Sequence, residues 1–198
     1  MDIIRAKTAK AIFFDGKKDG CIAVLDGSDI DQKYYAKMCP VKNSRDKYTF
    51  DFNGRKSQEF KEFKDLKISR DGKRMMAILT NGNSFGSLIV LGDRNMVLAG
   101  NAWNFAADIN LSDYAYSYFE QGNYFVNYKG VKNGPFPMFA SFSGFISGKG
   151  PVYRTMAKSE GNVFYVGNTL IDNNSCFERV IVFSQDGKNF AYRDDMVS

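Results

Sequence analysis

Residues 68–75 read ISRDGKRM, and residues 183–190 read FSQDGKNF. In both stretches an apolar residue precedes the pattern Ser-x-Asp-Gly-Lys, and another apolar residue follows it. Short Ser and Asp side chains hydrogen-bond to turn backbone, and glycine takes a positive φ without strain. Asp-Gly between two apolar runs is typical of a β-hairpin. The repeated stretch therefore predicts antiparallel strands joined by tight turns. Gly167-Asn168 and residues 92–95, each between two apolar runs, predict two further hairpins.

The serine turn belongs to a repeat with a period near 40 residues. Degraded copies begin at Ser112 and Ser147, so that the four serines are 43, 35 and 37 residues apart. The dipeptide Gly-Asn recurs at 82–83, 122–123 and 161–162, at spacings of 40 and 39 residues. This period matches one four-stranded propeller blade. The repeat divides a single domain into five approximate units: 1–43, 44–83, 84–123, 124–162 and 163–198.

The repeat predicts an all-β protein, built as a small β-propeller of about five irregular blades of antiparallel strands. Alternation along residues 113–119 supports this, because Tyr114, Tyr116 and Tyr118 would share one face of a strand. Two alternatives remain open at this stage. The blades would form an open arc if the ring does not close, and the same strands would also suit a β-sandwich.

The turn at residues 69–73 and 184–188, with the strand after it, resembles the repeat of TolB-type, WD-like β-propellers. The resemblance extends over roughly residues 44–198. It implies a propeller that binds or scaffolds other molecules, often in the bacterial envelope, so an extracytoplasmic location is expected. It brings no catalytic residues. The copies at Ser112 and Ser147 depart from the pattern, because both lack Asp-Gly-Lys.

Composition excludes several kinds of chemistry. The 198 residues are 44% hydrophobic, which is enough for a sizeable core and excludes a wholly disordered chain. Histidine is absent, which excludes Ser-His-Asp and Cys-His catalysis and histidine metal sites. The sequence also has no phosphate-binding loop and no nucleophile elbow. We therefore expect a protein that is not an enzyme, with no catalytic residues and no cofactor.

The charge is uneven along the chain. Residues 1–80 carry a net charge of +6 and residues 81–198 a net charge of −1. The lysines alternate with acidic residues, as in EFKEFKDLK at 59–67, which indicates a solvated face, and nucleic acid is not the expected partner. No apolar run reaches the about 18 residues of a membrane span, and the chain as given begins without a signal peptide.

Cysteines and clustered acids are the candidates for covalent or metal chemistry. Cys21, Cys39 and Cys176 fit no zinc spacing, and they leave open one disulfide with one free thiol or three buried thiols, which we favour. Residues 26–31 read DGSDID, a set of oxygen donors that calcium accepts. The spacing does not match an EF-hand, so the stretch is interpreted as a polar turn and no metal is expected.

Aromatic residues provide the candidate binding surfaces. The chain has 18 Phe, 11 Tyr and one Trp, and most of them suit strand packing. We select Trp103, Tyr34, Tyr35 and Tyr128 as binding residues, with Trp103 in NAWNF as the best interface anchor. The expected function is a non-catalytic binding or scaffolding module with a protein partner. The alternatives are a lectin-like carbohydrate-binding module and a propeller glycosidase with two acting carboxylates.

Overall fold

A computed structural model of the chain describes residues 12–14, 20–24, 34–157, 161–175, 180–183 and 190–193. These residues form strands and turns without a helix, which confirms the predicted all-β class. In chain order the strands are β1 Ile12–Phe14, β2 Ile22–Val24, β3 Ala36–Pro40, β4 Tyr48–Phe52, β5 Arg55–Lys56, β6 Glu62–Ile68, β7 Met75–Thr80, β8 Gly86–Leu91, β9 Met96–Ala107, β10 Tyr114–Glu120, β11 Asn123–Tyr128, β12 Val131–Phe136, β13 Ser141–Ile146, β14 Gly150–Ala157, β15 Gly161–Val166, β16 Thr169–Ser175, β17 Val180–Phe183 and β18 Phe190–Arg193.

Strands that follow one another along the chain are neighbours in the sheets. The sheets comprise β1–β5, β6–β12, β13–β16 and β17–β18, each in chain order. The pairings whose register is described are all antiparallel. The five repeat units and their boundaries stay a prediction.

The chain divides into two compact units. Unit 1 comprises Met1–Ala102 and Ile109–Leu111, and unit 2 comprises Trp103–Asp108 and Ser112–Ser198. Strand β9 contributes to both, because its first part pairs with β8 in unit 1 and its last residues belong to unit 2.

The core of unit 1 lies between the β1–β5 sheet and strands β6–β8. Buried residues from both sides form a cluster there, which does not include the buried Met76 and Ile78 of β7. Phe50 of β4 lies at its centre, with ring centroids 4.8 Å from Phe60 and 5.3 Å from Phe63. Strand β7, with the sequence MMAILT, is buried along its whole length. A run this apolar suits a strand with both faces covered.

Two smaller buried clusters are described in unit 2. The first contains Val126, Phe136, Ala140 and Tyr153, with partly buried tyrosine and phenylalanine rings around them. The second lies in the β13–β16 sheet and contains Ile146, Val152, Phe164 and Val166. Alternation along β10 directs its odd-numbered residues inward, as at the fully buried Ala115 and Ser117.

Tight turns set the register of the hairpins. Asn53-Gly54, Gln121-Gly122 and Lys129-Gly130 join their strands with positive φ at both residues, as two-residue type I′ turns require. The predicted two-residue hairpin at Gly167-Asn168 is confirmed, because Val166 pairs with Thr169. The turn predicted over 92–95 is confirmed between β8 and β9.

Candidate functional site

Two of the predicted binding residues lie together in unit 1. Tyr34 and Tyr35 precede β3, and their side chains are 40% and 48% exposed. They line an open cleft of about 450 Å³, which we call the tyrosine cleft. Its other lining residues come from β3, β4 and the turn after β4: Lys37, Asp51, Asn53 and Gly54.

Strand register brings the polar residues of the tyrosine cleft together. Lys37 of β3 lies directly opposite Asp51 of β4, so both side chains project from the same face of the sheet. The Gly54 amide donates a hydrogen bond of 3.0 Å to Asp51 Oδ1. Asn53 Nδ2 donates one of 2.8 Å to the carbonyl oxygen of Gly72. These bonds hold a carboxylate and an amide in place beside the two tyrosines.

The serine turn that organises the sequence lies against the tyrosine cleft. The Ser69 hydroxyl donates to Asp71 Oδ1 at 2.7 Å and accepts from the amides of Lys73 and Arg74 at 3.1 and 2.9 Å. Asp71 Oδ1 also accepts from the Lys73 amide at 3.0 Å. Hydrogen bonds from Ser69 and Lys73 hold the pKa of Asp71 below its ordinary value. The predicted turn chemistry is confirmed here; the copy at 184–188 lies outside the described residues.

Gly72 explains why this turn needs glycine. Its φ is +67°, in the left-handed region. A Cβ at this position would lie 2.3 Å from the Tyr34 ring, which packs directly on the glycine. The turn therefore fixes the position of one wall of the tyrosine cleft.

A disulfide joins Cys21 to Cys39 on the same sheet. Because Ile22 pairs with Met38, the two cysteines face each other across β2 and β3. The sequence analysis favoured three buried thiols, and this prediction was wrong. The alternative that includes one disulfide is the one found. Cys176 lies outside the described residues, as does the acidic stretch 26–31.

Trp103 lies in unit 2, within a second group of aromatic residues. Its ring centroid is 4.8 Å from that of Phe139, and the ring centroids of Phe139 and Tyr124 are 6.2 Å apart. Met138, next to Phe139, is 44% exposed. We call Trp103, Met138 and Phe139 the Trp103 patch.

Hydrogen bonds hold the loop that carries Met138 and Phe139. Asn104 Nδ2 donates to the carbonyl oxygen of Ala140 at 2.7 Å, and the Thr155 hydroxyl donates to that of Met138 at 3.1 Å. The Asn104 side-chain oxygen in turn accepts a hydrogen bond from Ser117. The Trp103 patch is thus presented by a fixed loop.

Tyr128, the fourth predicted binding residue, is buried in unit 2. Its hydroxyl donates to Asp113 Oδ2 at 3.0 Å, and Lys129 Nζ lies 3.2 Å from the same oxygen. Burial raises the pKa of Tyr128. A Cβ at Gly150 would lie 2.6 Å from its ring. The Tyr128 side chain is therefore held by packing, and we include it neither in the tyrosine cleft nor in the Trp103 patch.

The described residues offer little for metal binding. No three His, Cys, Asp or Glu side chains within that part of the chain lie close enough to hold an ion. No helix there is long and apolar enough to cross a membrane.

Sequence reasoning selected Tyr34, Tyr35 and Trp103 and missed the residues around them. Lys37, Asp51 and Asn53 join Tyr34 only through strand register, while Phe139 is distant from Trp103 along the chain. The Asn53-Gly54 dipeptide, a hairpin signal, is the one local clue to the tyrosine cleft.

No model of a protein family matches the chain, and no curated protein matches it.

Proposed function

We propose that the protein is a non-catalytic binding module that contacts a protein partner through the Trp103 patch of unit 2. The observation that carries this proposal is the half-buried Trp103 ring against Phe139, beside the exposed side chain of Met138. Tryptophan and methionine are enriched at interfaces, and tryptophan often dominates their binding energy. A loop fixed by Asn104 and Thr155 loses little conformational freedom on binding.

Three of the described carboxylates are held in ways that do not suit a catalytic acid. A glycosidase needs an acid with a raised pKa beside a second carboxylate. Hydrogen bonds from Lys61 and Ser69 instead lower the pKa of Asp46 and Asp71, respectively. Asp108 uses both oxygens to accept hydrogen bonds from Ser112. Hydrolysis of aryl glycosides that is lost on substitution of a carboxylate would replace this proposal with the glycosidase alternative.

The partner contact can be tested with two methionine variants. Met138→Glu places a charge in the Trp103 patch, and Met96→Glu makes the same change at a methionine of unit 1 that is 50% exposed. A protein captured from the native source is purified, and its dissociation constant is measured by calorimetry. We expect Met138→Glu to weaken binding at least about tenfold and Met96→Glu to leave it unchanged. Equal affinity of both variants would overturn the proposal.

We also propose that the chain is built as a small propeller of about five irregular blades. The proposal is supported by the order of the strands, because each strand of a described sheet lies beside the strand next to it along the chain, as in a blade. The seven-stranded β6–β12 sheet would then supply more than one blade. A crystal structure with a central channel and rotational pseudo-symmetry would agree with this proposal; a two-layer sandwich would contradict it.

The Cys21–Cys39 disulfide supports a location in an oxidising compartment, in keeping with the bacterial envelope expected from the resemblance.

A further inference from the structure

We propose that the tyrosine cleft of unit 1 binds a neutral saccharide, a second activity beyond the protein contact proposed for the Trp103 patch. The cleft volume of about 450 Å³ lies within the about 300–1,000 Å³ of small-molecule sites. The cleft lies in unit 1 and the Trp103 patch in unit 2, so each proposal can be tested without the other.

The tyrosines supply the apolar part of the cleft. Tyr34 and Tyr35 are the aromatic residues of its lining, and both are exposed. A tyrosine ring offers a flat apolar face with a polar hydroxyl at one end. The C–H face of a sugar ring matches such a surface. Tyr34 rests on Gly72, so part of the lining is ordered before any ligand arrives.

The polar lining suits hydroxyl groups, which both donate and accept hydrogen bonds. Asp51 uses Oδ1 for the Gly54 amide, and no described residue bonds to its Oδ2. Asn53 uses Nδ2 for Gly72, which leaves its side-chain oxygen as an acceptor. Lys37 Nζ is a donor and makes no ion pair with a described residue. Acceptors and donors therefore lie at the same cleft as the rings.

Charge and shape favour a saccharide over an ion or a peptide. Lys37 and Asp51 contribute opposite charges, so the lining selects neither an anion nor a cation. It contains no aliphatic side chain, whereas a peptide site usually has an apolar pocket for an anchor residue. The repeat units differ in sequence, which disfavours a lectin with one aromatic pocket in every blade. A saccharide site in one cleft does not need equivalent aromatic residues in the other repeats.

The test uses the full chain and defined oligosaccharides. Saturation-transfer NMR and calorimetry are run with maltohexaose, cellohexaose, mannohexaose and chitohexaose as neutral probes, and with heparin as the anionic probe. Tyr35→Ala removes an exposed ring and Tyr35→Phe keeps it. Leu170→Ala is the control, because Leu170 is an exposed apolar residue of unit 2.

We expect at least one neutral probe to bind, with affinity reduced about tenfold or more by Tyr35→Ala. Tyr35→Phe and Leu170→Ala should bind like the parent. Absence of binding at about 10 mM of every neutral probe, binding of heparin alone, or equal binding by Tyr35→Ala would each overturn the proposal. A peptide or protein that competes at the cleft in place of the sugars would overturn it too. Met138→Glu should not change sugar binding, so failure here is distinct from failure of the protein-partner proposal.

Discussion

The cluster described in unit 1 combines aliphatic side chains with four phenylalanines, whereas the clusters described in unit 2 are smaller and tyrosines take part in one of them. Phenylalanine and aliphatic side chains have no polar atom to satisfy when they are buried. A buried tyrosine brings a hydroxyl that needs a partner. In unit 2, Tyr128 has one in Asp113, whereas the Tyr153 hydroxyl makes no hydrogen bond of good geometry with a described residue and has the Asn133 side chain near it.

This difference indicates how each unit is stabilised. Unit 1 combines apolar burial with a disulfide and a hydrogen-bonded turn, all in the part that carries the tyrosine cleft. Unit 2 combines ring packing with side-chain hydrogen bonds to loops, as at Asn104 and Thr155. Substitutions in unit 1 should therefore lower stability mainly by leaving cavities or by removing the covalent cross-link. Substitutions in unit 2 should change stability mainly by removing single polar groups.

The largest effect is expected from Phe50→Ala in unit 1. Phe50 is fully buried between Phe60 and Phe63, so truncation leaves a cavity that the rigid sheets cannot close. The free energy of unfolding should fall by about 3–5 kcal/mol in chemical denaturation. Val97→Ala, at a residue 59% exposed, should change it by less than about 0.5 kcal/mol. Similar losses in the two variants would mean that the described packing of Phe50 against Phe60 and Phe63 is wrong.

Removal of the disulfide should come next. The bridge closes a loop with a sequence separation of 18, and its loss in Cys21→Ala/Cys39→Ala should lower the free energy of unfolding by about 3 kcal/mol. Thiol titration of the denatured parent, without reductant, should find one free thiol per chain. Three thiols in protein purified under oxidising conditions would contradict the pairing.

Two glycine variants separate strain from steric contact at the tyrosine cleft. Gly54 and Gly72 both have positive φ, but a Cβ at Gly54 meets nothing within 4 Å. Gly54→Ala should cost about 1–2 kcal/mol from the left-handed conformation alone. Gly72→Ala should cost at least about 1 kcal/mol more, because Tyr34 has to move. Equal melting temperatures of the two variants would refute the packing of Tyr34 on Gly72.

The serine turn predicts a pH dependence. The pKa of Asp71 is lowered in the folded state, so its contribution to stability is present above the unfolded value of about 3.9 and is lost as pH falls through the folded pKa. The difference in melting temperature between the parent and Asp71→Asn should therefore shrink as pH is lowered from about 5 to 3. A difference that stays constant or grows on acidification would exclude this role for Asp71.

The smallest expected effect is that of Tyr153→Phe in unit 2. The Tyr153 hydroxyl is buried without a hydrogen bond of good geometry to a described residue, and burial raises its pKa against a small opposing effect of Asn133. Its removal should leave the free energy of unfolding unchanged or raise it by up to about 1 kcal/mol. Tyr128→Phe, which loses a bond to Asp113, should lower it by about 1 kcal/mol or more. A large loss for Tyr153→Phe would reveal a partner for its hydroxyl.

Local patterns predicted several elements of this fold. Alternation of side chains identified β10, and the turn residues identified the hairpins at 92–95 and 167–168. At residues 69–73, the predicted hydrogen bonding of the Ser and Asp side chains within the turn is confirmed. Each prediction depends on residues close in sequence, whose chemistry acts within one turn or one strand.

The candidate surfaces could be predicted only in part. The exposure of Tyr34 and Tyr35 and the burial of Tyr128 depend on which strands lie beside them, and all three residues look alike in sequence. The pairing of Cys21 with Cys39 follows from the register of β2 with β3, which spacing along the chain does not specify.

Side-chain alternation and turn chemistry, both local properties, determined the strands, the tight turns and the all-β class of this protein. Tertiary structure alone decided that Lys37 and Asp51 meet beside the tyrosines and that Trp103 meets Phe139. The reason is physical: strand register and burial arise from contacts between distant segments, and a shift of one residue would send each side chain to the opposite face.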